Sequence, residues 1–228
     1  MLIEECETTL VPIFTKEMKS FIHDVYITGA IESGTNAYVD LLDKLRFANS
    51  NEIFRIYLNC EGGCFYTTMQ IMNAMIGSDA QIVTIADGMV ASAASMIFLC
   101  GDELEVNENA AMLIHCPSYE LGGKGHDVIK HARFNDILSK QTIEKIYSGF
   151  LTSDEISQVI NGQDFWIFPD EICERLVKFV KFREEQFEEA EKKLKDAEEE
   201  ELERLKQEEE FVEKRPRGKK DKIKDKNL

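Results

Sequence analysis

Apolar positions along the chain fall into short dense runs broken by glycine, and their spacing alternates between that of a strand and that of a helix. Residues 53–59 (IFRIYLN) are apolar and β-prone. Glu61-Gly62-Gly63 then breaks the run, and residues 65–76 resume with Phe65, Met69, Met72 and Met75/Ile76 at helical intervals. The same pattern recurs: residues 81–86 (QIVTIA) predict a short buried strand, Gly88 interrupts it, and residues 92–100 (SAASMIFLC) have the small apolar composition of a fully buried helix. Two successive strand–turn–helix units predict βαβ architecture, because parallel strands need crossover helices. An α/β fold with layered helices follows. A third short strand is expected over residues 111–115 (AMLIH), ending before Pro117.

Beyond it, residues 122–149 predict a long helix with Val128, His131/Ala132, Ile137/Leu138, Ile143 and Ile146 recurring at threes and fours. Its other faces are too polar for a core. Thr152-Ser153-Asp154-Glu155 predicts a helix start with Thr152 as N-cap and Glu155 as its capping-box partner, and Pro169 suits the first position of a further helix. The composition changes at about residue 178, so residues 1–177 are expected to form one globular domain and residues 178–228 a charged tail. Residues 181–213 hold 15 acidic and 7 basic residues, and residues 214–228 hold 2 acidic and 8 basic. The apolar positions of the acidic part (Phe182, Phe187, Leu194, Leu202, Leu205, Phe211) keep no steady heptad. A solvated helix laced with Glu/Lys pairs is expected there, about 55 Å long from residue 177 to 213, followed by a disordered basic end.

Composition narrows the class. With 228 residues and 43% hydrophobic content the chain can bury one sizeable core. A net charge of -16 excludes a generally nucleic-acid-binding surface. No apolar run reaches the roughly 18–20 residues that span a bilayer, and the start MLIEECETTL lacks the layout of a secretory signal, so a cytoplasmic protein without membrane contact is expected. The six cysteines (Cys6, Cys60, Cys64, Cys100, Cys116, Cys173) are scattered through apolar segments without a second close pair suited to zinc. They are expected to be buried free thiols, and no metal or organic cofactor is implied.

Three features look chemical when taken together. Ser92 stands where a strand turns into a buried helix, and the glycine pair Gly62-Gly63 ends the preceding strand, where a bare backbone can aim an N–H at a substrate oxygen. His115 closes the third strand and could accept the serine proton, and Asp164, beside Phe165 and Trp166, could orient its imidazole. Ser92 or Ser95 alone reads equally well as an N-cap or a small packing residue. His23, His126 and His131 have no such company and read as core or surface histidines.

The string Thr84-Ile85-Ala86-Asp87-Gly88-Met89-Val90-Ala91-Ser92 resembles the nucleophile segment of the Clp protease proteolytic subunit family, with Ser92 rather than Ser95 on the catalytic serine. Leu113-Ile114-His115-Cys116-Pro117 is similar to the family's base-containing block, Asn59-Cys60-Glu61-Gly62-Gly63 to its glycine turn, and Gln163-Asp164-Phe165-Trp166 to its later acid block. The resemblance covers roughly residues 25–176. It implies a Clp/crotonase-like fold, a Ser92–His115–Asp164 triad, an oxyanion hole from the Gly63 and Ala93 backbone N–H groups, and a handle helix over residues 122–147. It also implies cleavage of peptides or unfolded proteins inside stacked heptameric rings fed by an ATP-driven unfoldase.

The departures from the family pattern are Glu61 for a proline, Val90 for an alanine and Arg175 where a glycine normally ends the last helix. The short acidic stretch before residue 25 implies reduced axial gating loops. Alternative readings are a phage head-maturation protease with a scaffold-like tail, a catalytically silent ring subunit, and another crotonase-like enzyme acting on acyl thioesters.

Overall fold

Three long strands form the body of the sheet, and in the two inner ones apolar residues recur at period two or in an unbroken run. β1 (Phe21–Ile31), β2 (Glu52–Gly63) and β3 (Gln81–Ala91) pair in parallel, with α1 (Val39–Phe47) and α2 (Phe65–Ile76) as the crossovers. The computed structural model describes residues 19–34 and 36–213, with side chains through residue 206. On β2 the alternation buries Phe54, Ile56, Leu58, Cys60 and Gly62, whereas β3 is buried continuously from Ile82 to Ala86, as a central strand covered on both faces requires. The mixed α/β sheet has six strands in the order β1-β2-β3-β5-β6. β4 (Glu103–Val106) and β5 (Ala111–Ile114) lie one after the other along β3, both parallel to it, and β6 (Phe165–Ile167) closes the edge antiparallel to β5.

The glycines do not end the strands as expected. β2 continues through Gly62 and Gly63, and β3 through Gly88 to Ala91, so β3 is long enough to pair with β4 first and with β5 afterwards. The helix after it, α3 (Ala93–Phe98), is shorter than expected, and all six of its residues are buried. The buried stripe of α2 is also shifted: Thr68, Ile71, Met72, Ala74 and Met75 face the core while Ile76 is exposed, so the expected phase holds only at Met72 and Met75. β1, α1, β4 and β6 were not anticipated. β1 buries only Ile27 and Ile31, so its edge position leaves no apolar alternation to read.

α4 (Gly125–Tyr147) buries Ser139, Ile143 and Tyr147 at intervals of four, all in its second half, whereas Ile129, Phe134 and Ile137 before them are exposed. α5 (Ser153–Ile160) starts with the expected capping box: Thr152 Oγ1 accepts from Glu155 N at 3.3 Å, and Glu155 Oε2 accepts from Thr152 N at 2.8 Å. α6 (Pro169–Glu213) begins at Pro169 as expected but runs unbroken through the position where the family has a helix-ending glycine. Arg175 there donates to Glu155 Oε1 at 2.7 Å and Oε2 at 3.0 Å and also pairs with Glu171, which ties α6 to the start of α5.

Two compact units divide the chain, Met1–Val177 and Lys178–Leu228. The described part of the second is helical, leaves Phe187, Leu194, Leu202 and Leu205 exposed, and carries Lys193–Glu189 and Arg204–Glu201 pairs at 2.8 and 2.9 Å. The basic end at 214–228, Cys6 and the stretch before residue 19 lie outside the described residues. Of the five described cysteines, all free thiols, only Cys60 is buried, and Cys173 is exposed. The expectation that all six are buried is therefore corrected. An apolar sequence neighbourhood does not decide which face of its element a residue occupies.

The Arg175 guanidinium overcomes the opposing effect of burial and, helped by the Thr152 N-cap bonds, holds the Glu155 carboxyl at about 2 against an ordinary 4.5. A lowered carboxyl contributes stability that is complete above its ordinary value and is lost as pH falls through the folded one. Arg175→Met should therefore lower unfolding free energy by about 1–2 kcal/mol at neutral pH. In denaturant titrations the gap between variant and wild type should close as pH drops from 4.5 towards 2. A gap unchanged at pH 2 would refute this account of the pair.

Candidate active site

The site is built where three parallel elements end side by side. β3 finishes at Ala91 and turns into α3 through Ser92, which has φ 55° and ψ -122° and is the one non-glycine residue with positive φ among the described residues. A backbone in that region costs about 1–3 kcal/mol and persists only where its surroundings enforce it. Here they do so from two sides. Ser92 N donates to Leu113 O of β5 at 2.8 Å, and Ser92 O accepts from both Ser95 N at 3.0 Å and Ser95 Oγ at 2.7 Å.

The third constraint is the glycine turn. A Cβ on Gly62 would stand 2.7 Å from Ser92 Cβ, 2.8 Å from Ala91 O and 3.1 Å from Ala93 N, so only glycine lets the end of β2 lie against the serine turn. Gly62 at φ 95° and Gly63 at φ 140° also adopt conformations that side-chain-bearing residues avoid. Cys64 N donates to Ile31 O at 2.7 Å and pins the turn to β1.

These contacts bring Gly63, Ser92, Ala93 and His115 to the wall of one cavity of about 480 Å³, whose far side is formed by Asn135, Leu138 and Ser139 of α4. His115 follows directly on β5 and is half-buried. Ala93 is the first residue of α3, so its N–H has no partner within the helix. Residues that carry a hydroxyl, an imidazole and two backbone N–H groups thus border one space.

Asp164 does not line that cavity and is exposed. β5 and β6 pair Leu113 with Trp166 and Ile114 with Phe165, and His115 and Asp164 are the residues that follow and precede the last paired step. Among the described residues no hydrogen bond joins Ser92 to His115 or His115 to Asp164. Hydrogen bonds of this kind are often long without substrate and tighten when it binds.

Ser95 is a different kind of serine. Fully buried, its Oγ is shared between Ser92 O and the phenol of Tyr147, 2.7 Å away, and burial pushes the Tyr147 hydroxyl upward. It braces the turn and is closed to substrate. Tyr147, Tyr66 and Asn135 were not anticipated from sequence. Tyr66 Oη donates to Asn135 Oδ1 at 3.2 Å, linking α2 to α4 across the cavity. The only signal for these contacts is the polar interruption of otherwise apolar helix faces. Burial raises the Cys64 thiol beside Gly63, but hydrogen bonds from Thr67 and the Tyr66 N–H outweigh it and leave the group below its ordinary value.

Among the described residues no group of three or more acidic, histidine or cysteine side chains could hold a metal ion. Compared with known families, the chain matches the model described as Clp protease over residues 14–174, well over half its length and including every candidate site residue.

Because Gly62 touches the serine turn, Gly62→Ala should push Ser92 aside while leaving every polar group in place. Reaction of Ser92 with a fluorophosphonate probe should slow by at least about tenfold, with a loss of about 1–3 kcal/mol in stability. Wild-type labelling kinetics in this variant would show that the close approach does not set the reactivity of Ser92.

Proposed function

The chain belongs to the Clp protease family and is a peptidase, and from that premise we propose that it is a serine endopeptidase whose triad is Ser92, His115 and Asp164. The observation that carries this reading is the strained Ser92 turn, held against Gly62 and opening on the cavity that His115 also lines. In the reaction, His115 takes the Ser92 Oγ proton as the Oγ–carbon bond forms. The Gly63 and Ala93 N–H groups stabilise the tetrahedral oxyanion, the carbon–nitrogen bond breaks, and His115 returns the proton to the leaving amine. Water then attacks the acyl-enzyme by the same route, giving up its proton through His115 to Ser92. Asp164 holds the imidazole in the tautomer that these transfers need. No step calls for a metal or an organic cofactor.

The finer parts of the proposal are a ring-forming subunit, with heptamers stacked through α4, working in the cytoplasm on unfolded protein delivered by an ATP-driven unfoldase. Support for assembly comes from α4, which exposes Ile129, Phe134 and Ile137 by 55%, 58% and 57%. Exposed apolar side chains this closely spaced suit contact with another protein surface. No helix among the described residues is long and apolar enough to cross a membrane.

Ser92→Ala should abolish fluorophosphonate labelling and peptide cleavage. Ser95→Ala should still label at Ser92, though more slowly because the turn loses the Ser95 Oγ bond, and lose about 1–3 kcal/mol of stability because the buried Tyr147 hydroxyl loses its partner. Labelling that survives in Ser92→Ala would sink the assignment. Asp164→Ala should cut turnover by at least about 10³-fold with little change in KM; near-normal turnover would remove Asp164 from the triad. Native mass measurement tests assembly: the double variant Phe134→Glu, Ile137→Glu should yield smaller particles than wild type, and unchanged particles would rule out contact through α4.

A further inference from the structure

The cavity next to Ser92 is nearly bare of charge. Phe65, Met96 and Leu138 give it apolar walls, Tyr66 and Asn135 a polar rim, and no Lys or Arg lines it among the described residues. Its one carboxylate belongs to Glu61. That side chain is exposed, and among the described residues it makes no hydrogen bond or ion pair.

Its position on the strand makes this charge matter for substrate. Glu61 is the extra residue of β2 where its register with β1 shifts, between Cys60 paired with Gly29 and Gly62 paired with Ala30. Glu61 and Gly63, whose N–H is proposed to receive the oxyanion, both line the cavity. Two residues of chain reach at most about 7 Å, the distance that separates alternate residues of an extended peptide. A peptide whose scissile carbonyl sits at Gly63 thus brings a side chain one or two positions away to the Glu61 carboxylate. Apart from His115, which carries a proton only in passing during the reaction, no described residue of the wall offers Glu61 a positive partner, so a lasting one comes with the substrate.

Resting on the peptidase reading above, we propose that Glu61 makes this enzyme select peptides with a Lys or Arg within two residues of the scissile bond. The charge is exposed, so the selection is that of a solvated ion pair, about fivefold in kcat/KM, and it weakens as salt screens it. The basic segment at 214–228 of this chain, KRPRGKKDKIKDKNL, has the matching chemistry and serves as a natural probe.

The test uses the full-length protein with quenched-fluorescent peptides that share apolar residues but carry Lys, norleucine or Glu in turn at each position flanking the scissile bond, plus the 214–228 sequence. Cleavage points are read by mass spectrometry. At one position wild type should cut Lys peptides about fivefold faster than norleucine peptides and Glu peptides more slowly still. The Lys preference should fall towards one in about 1 M salt. Glu61→Gln should bring the Lys/norleucine ratio to one, and Glu61→Lys should reverse it in favour of Glu. Because the readout is a ratio within one enzyme, a partly folded variant does not distort it.

Wild type that labels with fluorophosphonate at Ser92 yet shows a ratio of one at every position, or cuts none of the basic peptides, overturns the selection and leaves the peptidase reading standing. A Lys preference that survives in Glu61→Gln overturns the role of Glu61. Absence of both labelling and cleavage in wild type overturns the peptidase reading and the selection with it.

Discussion

Contact between the Gly62 backbone and the Ser92 turn is the constraint on which the rest of the site depends. The two strands that meet there are parallel and carry opposite demands: β2 must end in a turn open enough to leave an N–H for substrate, while β3 must reverse sharply into a buried helix. Both are satisfied only if one of them gives up its side chain at the crossing point, and Gly62 does so. The strain in Ser92 is then held by Leu113 O from β5 and by Ser95, whose own position is fixed by Tyr147 at the end of α4. Elements from four parts of the chain thus converge on a single backbone conformation. A flexible turn at this point would lose the fixed geometry that makes a hydroxyl an effective nucleophile.

How much of this could be read from sequence follows the range of the interactions. Ser92, His115, Gly63 and Ala93 sit in contiguous strings whose residue types mark them out locally, although the conformation of the Ser92 turn is not local, and the Thr152–Glu155 capping box is read within four residues. Asp164 was legible only as a shorter string. The strands beside it and His115 meet through the β5–β6 register, a pairing across some fifty residues that no local pattern encodes.

What sequence hid was carried by long-range pairs or by position at an edge. The Ser95–Tyr147 bond joins residues 52 apart and the Arg175–Glu155 pair residues 20 apart. Arg175 looked like the loss of a helix-ending glycine, whereas it is the residue that ties α6 to the start of α5. β1 lies on the sheet edge with one face largely in water, so it lacks the buried run that revealed β2 and β3. Glu61 read as a departure from a family pattern, and its meaning appears only when the cavity around it proves to have no compensating charge.

Charge acts on this protein at two ranges, and separating them is a matter of screening. The net charge of -16 sets a diffuse negative field that concentrates cationic segments near the molecule and raises encounter rates. At physiological ionic strength that field decays over about 8 Å, so it affects arrival and not the choice made within the cavity. The described charges of the acidic helix, residues 178–206, are largely exposed and offset in part by neighbouring lysines and arginines three and four residues away. Glu61 belongs to the second range, because its carboxylate lines the same cavity as Gly63 and Ser92. A whole-chain charge therefore attracts basic peptides without discrimination, and a single carboxylate inside the cavity can only bias, by the few-fold of an exposed ion pair, where along them a cut falls.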